Sequence, residues 1–268
     1  MEDAGKNHPP VAFAMFASPK EEEEYLKGIQ DIIGEVPMFG GSAADNDIVG
    51  DWKVLCGNSS IDEGCAVALF YTTKEIKNVL TNSYKETDNI GIITSIDDNR
   101  RIMEIDHVPA LKKYAEWTGF NADELMGQSM LNASIPMAIG TSTLHGETIL
   151  ARHPQIGNPD YSLTVGANMA AKTAVMLIQI DEDGMIGGAV ENIIELKSNF
   201  KPAGLLLIHS SARKNFIGER IDEDYVAIKN AVGDLPFIVT FTSSEYGQVD
   251  HSGACIANLS LSFTGFSE

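Results

Sequence analysis

Long apolar runs and paired cysteines are both missing from this chain of 268 residues. The longest apolar runs, such as 174–178, are far shorter than the ~20 residues of a membrane-spanning helix, so we expect no membrane insertion. The three cysteines, Cys56, Cys65 and Cys255, are an odd number without CxxC spacing. That usage is typical of reduced thiols inside the cell, and we expect a cytoplasmic protein.

Basic residues are also few. Lys and Arg number 19 against 38 Asp and Glu, which gives a formal net charge of −19. A surface this acidic repels the nucleic acid backbone and anionic lipid. We therefore expect no nucleic acid partner.

Sequence signatures of metal, nucleotide and hydrolase chemistry are missing as well. No two of the six histidines stand at HxH or HxxxH spacing, and none pairs with a cysteine at zinc spacing. We expect no metal and no cofactor. No Gly-Lys-Ser/Thr completes a phosphate-binding loop, and no GxSxG marks a hydrolase serine.

The chain does contain a repeat, because its two ends look like copies of one unit. Each copy opens with an apolar run after a proline, at 11–17 and 203–209, and continues into a helical stretch. The helices close on matching joints 199 positions apart, IQDIIGEVPMF at 29–39 and IKNAVGDLPFI at 228–238. An apolar strand after a glycine follows in both copies. Chance recurrence of a helix-Gly-acid-Pro-strand joint is the alternative.

This order of elements predicts the fold class. The unit reads strand, helix, strand, strand, and hairpins outnumber crossovers along the chain. We predict an α/β protein of the α+β type, with mixed or antiparallel sheets flanked by helices and two related units at 11–71 and 205–263. The predicted domains are 8–90 and 91–266.

Small residues follow the second strand of the first copy. Gly40 and Gly41 precede Ser42 and Asp45, and glycines of this kind let backbone approach either a ligand or another chain segment. Both interpretations stay open. Duplicated units commonly leave a crevice for a ligand, which we expect between this segment and 242–247.

Three polar residues of the second copy form a candidate binding set: Arg213, Glu245 and Asn258. Each ends or interrupts a buried-looking segment, and buried polar groups must find partners or cost a few kcal/mol. One interpretation is ligand contact, with the Arg213 guanidinium binding a carboxylate. The other is a structural network in which Asn258 satisfies loop backbone and Arg213 pairs with Glu245.

A strand-end serine, Ser210, lies beside His209. Such a serine can be a nucleophile, but adjacent side chains of one strand point to opposite faces. Capping of the next helix is the other interpretation.

Five segments in order resemble the FIST family, whose name stands for F-box and intracellular signal transduction. They are VPMFGGSAAD (36–45), IMEIDHVPALKKYAEW (102–117), LLLIHSSARK (205–214), FTSSEYG (241–247) and CIANLS (255–260). The first resembles the family's N-terminal domain and the others its C-terminal domain. The resemblance spans nearly the whole chain, although the N-terminal part is shorter than is usual in the family.

Three positions depart from the family pattern. Ser210 stands where the family commonly has Cys, and Ala212 and Ser244 stand where it has Gly. The arginine, glutamate and asparagine of the candidate set match the pattern. The serine argues against a required thiol nucleophile.

The resemblance implies a sensory domain, not an enzyme, that binds a small molecule such as an amino acid and signals through a partner protein. The predicted ligand-binding residues are Arg213, Glu245, Asn258, Gly40, Gly41, Ser42, Asp45 and Ser210. A protein-interaction adaptor without a small ligand is one alternative. A hydrolase or transferase using Ser210 is the other.

Overall fold

A computed structural model describes residues 7–45, 50–81, 83–130, 137–143, 146–249 and 253–268. The described helices are α1 (Glu22–Ile33), α2 (Ala110–Thr118), α3 (Ala122–Leu125), α4 (Glu182–Asn199), α5 (Ser211–Ile217) and α6 (Ile221–Val232), with a 3-10 turn at Gly218–Arg220. The described strands are β1 (Ala12–Ala17), β2 (Met38–Ser42), β3 (Val54–Cys56), β4 (Ser59–Ile61), β5 (Cys65–Phe70), β6 (Ile76–Thr81), β7 (Tyr84–Asp98), β8 (Arg101–Ile105), β9 (Val108–Pro109), β10 (Met137–Thr143), β11 (Gly146–Arg152), β12 (Pro154–Gly157), β13 (Leu163–Val165), β14 (Ala174–Ile180), β15 (Gly204–Ser210), β16 (Phe237–Thr242), β17 (Glu245–Val249), β18 (Gly253–Ala257) and β19 (Leu261–Phe266).

Two of the sheets contain the predicted repeat. In the first sheet, β1 pairs with β2 in parallel across α1 and with β5 antiparallel. In the second, β15 pairs with β16 in parallel across α5 and α6, and with β19 antiparallel. The two related units are therefore confirmed, as is the class of mixed and antiparallel sheets flanked by helices. One strand was assigned wrongly: the run after Gly253 forms β18, which pairs with β17 in the first sheet, and the last strand of the second unit is β19.

The matching joints share a backbone conformation. Gly34 ends α1 with φ of 78°, and Gly233 ends α6 with φ of 73°. Each glycine N–H donates to the carbonyl four residues earlier, at Gln30 and Lys229. Only glycine adopts this left-handed region without strain, so its presence at both joints follows from the shared turn.

Each of these two sheets includes at least one strand from the other end of the chain. The first sheet runs β18-β17-β2-β1-β5, so it contains two strands from the C-terminal part. The second runs β16-β15-β19-β6, so it contains one strand from the N-terminal part. β7 passes through the predicted boundary at residue 90 without interruption, and that division stays a prediction.

The third sheet is antiparallel, with the order β11-β10-β14-β7-β8-β13-β12 and β9 beside β8. Its core joins strand residues such as Ile93 and Ile102 to Leu111 and Tyr114 of α2. In the second sheet, α4 and α6 pack on one core with Leu207 and Phe263. Among the described helices, none combines the length and apolar character needed to cross a bilayer.

Candidate functional site

The strand-end segments of the two units meet directly. Glu245 at the start of β17 lies opposite Gly41 of β2 in the antiparallel register. The Ser42 N–H donates to the Ser244 carbonyl at 2.9 Å, and the Ser243 N–H donates to the Ser42 carbonyl at 3.0 Å. These contacts bring the predicted residues of 40–42 and 245 together.

The two glycines make room for neighbouring chain. A Cβ atom on Gly40, whose φ is 144°, would lie 1.8 Å from the Met15 carbonyl oxygen. A Cβ atom on Gly41 would lie 2.4 Å from Cγ2 of Thr242. Of the two interpretations of this segment, these distances support close approach of another chain segment for both glycines.

Ser42 belongs to a buried polar cluster that the sequence did not indicate. Its hydroxyl donates to Oε1 of Glu22 at 2.7 Å and lies 2.6 Å from the hydroxyl of Tyr246. Arg100 bonds the other oxygen of Glu22 at 2.5 Å. Burial raises the pKa of Glu22, and Arg100 opposes that shift. Glu22 shares the inward face of α1 with Leu26, an i, i+4 spacing that could have flagged it.

Asp45 binds backbone N–H groups a few residues along the chain. Its carboxylate accepts the N–H groups of Gly50 at 2.8 Å and Asp51 at 2.9 Å. Backbone capping of this kind is common for aspartate in loops.

Arg213 lies 1% exposed beneath α6. Its ion-pair partner is Asp224, with Nη2 and Oδ1 3.8 Å apart, and not the Glu245 of the network interpretation. Nη2 also donates to the Met185 carbonyl. The other Asp224 oxygen lies 3.0 Å from Nε2 of His209. Asp224 lies in the acidic first turn of α6, where carboxylates ordinarily face solvent.

Two neighbouring buried atoms of this group lack hydrogen bonds to the described part of the chain. They are Nε of Arg213, a donor, and Oδ1 of Asp224, an acceptor. Burial lowers the pKa of Arg213, and the Asp224 carboxylate opposes that shift. Unmatched buried polar atoms are rare in folded proteins.

Glu245 is fully buried between the two units. Its oxygens accept the Thr242 hydroxyl and the Ser260 N–H, each at 3.0 Å. Burial raises its pKa to about 8, although those bonds, the Ser210 hydroxyl and the Arg213 charge all oppose the shift. A buried carboxyl with so displaced a pKa is a feature of functional sites.

Asn258 joins the loops around this centre. Its Oδ1 accepts the His153 N–H at 3.2 Å, and its Nδ2 donates to the Gly166 carbonyl at 3.3 Å and the Ser244 hydroxyl at 3.0 Å. Two of these partners are loop backbone groups, which agrees with the structural interpretation of Asn258.

Comparison with known families identifies the chain. The FIST N domain matches residues 2–108, and the FIST C domain matches 110–248. This chain belongs to the FIST family. Among curated proteins, none matches it.

In this FIST C domain, Ser210 caps a helix. Its hydroxyl accepts the Arg213 N–H at 3.4 Å at the start of α5. The His209 ring instead contacts the Ser210 carbonyl at 2.9 Å and Asp224 at 3.0 Å. Both ring nitrogens are therefore engaged away from the hydroxyl, and the described contacts do not form a serine-histidine relay.

A surface groove in the FIST C domain has His209 and Asp224, but not Arg213, in its lining. It has a volume of about 430 Å³ and lies between α6 and β16. Its lining residues are His209, Ile221, Asp224, Tyr225, Ile228, Phe237, Ile238, Val239 and Phe241. Within the described residues, no three His, Cys, Asp or Glu side chains come together to hold a metal.

Proposed function

We propose that this chain is a sensory domain that binds an amino acid or a related zwitterion beside Arg213 and signals through a partner protein. FIST domains are associated with signal transduction, which favours a sensory role. We also propose that it is not an enzyme.

The observation that carries this proposal is the pair of unmatched atoms at Arg213 and Asp224. An amino acid has the complementary groups: its carboxylate accepts from a guanidinium N–H, and its ammonium donates to a carboxylate. A zwitterion would satisfy both atoms at once. A lone anion or a lone cation would leave one of them unmatched.

The groove approaches this centre from one side. Asp224 and His209 line it and Arg213 does not, and both unmatched atoms are buried, so a ligand enters only when these side chains move. The neighbouring apolar wall, with Ile228 and Val239, suits the side chain of an apolar amino acid.

The test is a thermal-shift screen of the common L-amino acids, followed by calorimetry on each hit. Ligand at about tenfold above its Kd adds about 1.4 kcal/mol to the folded state, or roughly 2–4 °C in melting temperature. Failure of every amino acid to bind would refute the proposal.

Matched substitutions locate the site. Arg213→Lys keeps a positive charge but removes Nε, so we expect affinity to fall about tenfold or more. Arg220→Lys is the control, since Arg220 pairs with surface carboxylates such as Glu223. Unchanged affinity in Arg213→Lys would remove Arg213 from the site.

A further inference from the structure

The edge strand β16 has an open side. Within the described part of the chain, β16 pairs with β15 alone. The Leu205 N–H donates to the Pro236 carbonyl, so alternate residues from Pro236 onward face β15. Phe237, Val239 and Phe241 therefore direct their N–H and C=O groups to the open side.

Apolar side chains surround this open edge. Ile238 is 63% exposed and Tyr225 of α6 is 49% exposed, and both line the groove. Phe241 is exposed at the end of the same strand. A contiguous exposed apolar patch beside unpaired backbone is a typical protein-binding surface.

The repeat shows what occupies this place in the other unit. β2 is the counterpart of β16, and its outer edge carries β17 antiparallel, followed by β18. Tyr246 and Ile256 of those strands pack in one cluster with Leu26 of α1. Leu26 is only 7% exposed, whereas Tyr225, its counterpart in α6, is 49% exposed. The covered edge in one unit corresponds to the groove in the other.

We propose that the edge of β16 and its groove accept one extended segment of a partner protein, antiparallel to β16. Apolar residues at alternate positions of that segment enter the groove, as Tyr246 does in the first unit. Basic residues stand between them, because the net charge of −19 attracts cations and repels a second copy of this chain. As a signalling surface, this edge rests on the function proposed above: the segment and the amino acid share one groove, so binding of the amino acid releases the segment.

The probe is a fluorescent synthetic peptide of about seven residues that alternates lysine with tyrosine, valine and isoleucine. It is titrated at near-physiological salt, where distant surface charges are screened. The titration contains no amino acid, so failure of the peptide to bind is a separate result from failure of the amino acids to bind. Three control peptides have the apolar residues grouped together, alternate backbone N-methylation, or glutamate for lysine.

We expect the alternating lysine peptide to bind at least about tenfold more tightly than each control, because strand pairing needs both register and free amides. Val239→Pro removes an outward N–H without touching the β15 ladder and should weaken binding about tenfold or more. Val239→Thr keeps the N–H and is the control. Tyr225→Ala, at an exposed position, should weaken binding at least about threefold. If the proline variant does not fold, this second variant still tests the proposal.

Equal binding of the alternating and grouped peptides would overturn the proposal, as would unchanged affinity in both Val239→Pro and Tyr225→Ala. A dimer in sedimentation that Val239→Pro abolishes would also overturn it, since the edge would then bind a second copy of this chain.

Discussion

The buried carboxyl of Glu245 makes the stability of the protein depend on pH. In the unfolded chain this carboxyl ionises at its ordinary pKa of 4.5, whereas in the fold burial raises the pKa to about 8. Between those values the folded state holds one proton more than the unfolded state. Stability from this group is therefore complete at low pH and is lost as pH rises towards 8.

The magnitude follows from the two pKa values. From about pH 6 to about pH 9, the free energy of unfolding should fall by roughly 2.5 kcal/mol through Glu245 alone. Glu245→Gln keeps the shape of the protonated acid and does not ionise, so this part of the fall should vanish. His153, whose pKa burial lowers to about 4, is common to both proteins and cancels in their difference.

The assay is urea unfolding of the wild type and Glu245→Gln at both pH values. Glu219→Gln, at an exposed carboxylate, is the control and should follow the wild type. Parallel curves for the wild type and Glu245→Gln would refute the reasoning, because they would mean that Glu245 is ionised in the fold.

Further predictions concern packing, the buried cluster and the helix cap. Gly41→Ala should lower the free energy of unfolding by about 2 kcal/mol, because its Cβ would overlap the adjoining loop. Gly28→Ala should raise it by about 1 kcal/mol, since nothing lies within 4 Å; the opposite order in urea unfolding would contradict both. Ser42→Ala and Tyr246→Phe should each lower the free energy of unfolding by about 1–3 kcal/mol. The double mutant should lose less than the sum of the two, because the two hydroxyls share one hydrogen bond. Strictly additive losses would disprove the shared bond. Ser210→Ala should cost about 1 kcal/mol and leave any esterase activity of the purified protein unchanged, whereas loss of such activity would favour the hydrolase alternative.

The repeated units were predictable because their signals are local. A few neighbouring residues are enough to indicate a glycine in a left-handed joint or an unbroken apolar strand. The exchange of strands between the units was not predictable, because 245–249 (EYGQV) has no apolar alternation that marks a strand and no local signal names the strand it joins. Pairing over that distance is decided by packing of the whole chain.

The candidate site was predictable only in part. Arg213, Glu245 and Asn258 are buried and polar, as their place in apolar segments suggested. The partner Asp224 was missed because its acidic neighbours resemble an ordinary helix start. Its spacing from Ile228 along α6 was the available signal, since a carboxylate on the apolar face of a helix needs a buried partner.

The exchange of strands also sets an order of events during synthesis. The outer neighbour of β2 begins at Glu245, so the ribosome must add roughly 200 residues, which takes about 10–40 s at ordinary rates. Throughout that interval the edge of β2 has no strand beside it, and the nascent chain exposes a template for intermolecular pairing. The segment that matches the FIST N domain, expressed alone, would keep this edge permanently. Chaperone dependence and aggregation of that fragment should therefore exceed those of the full chain.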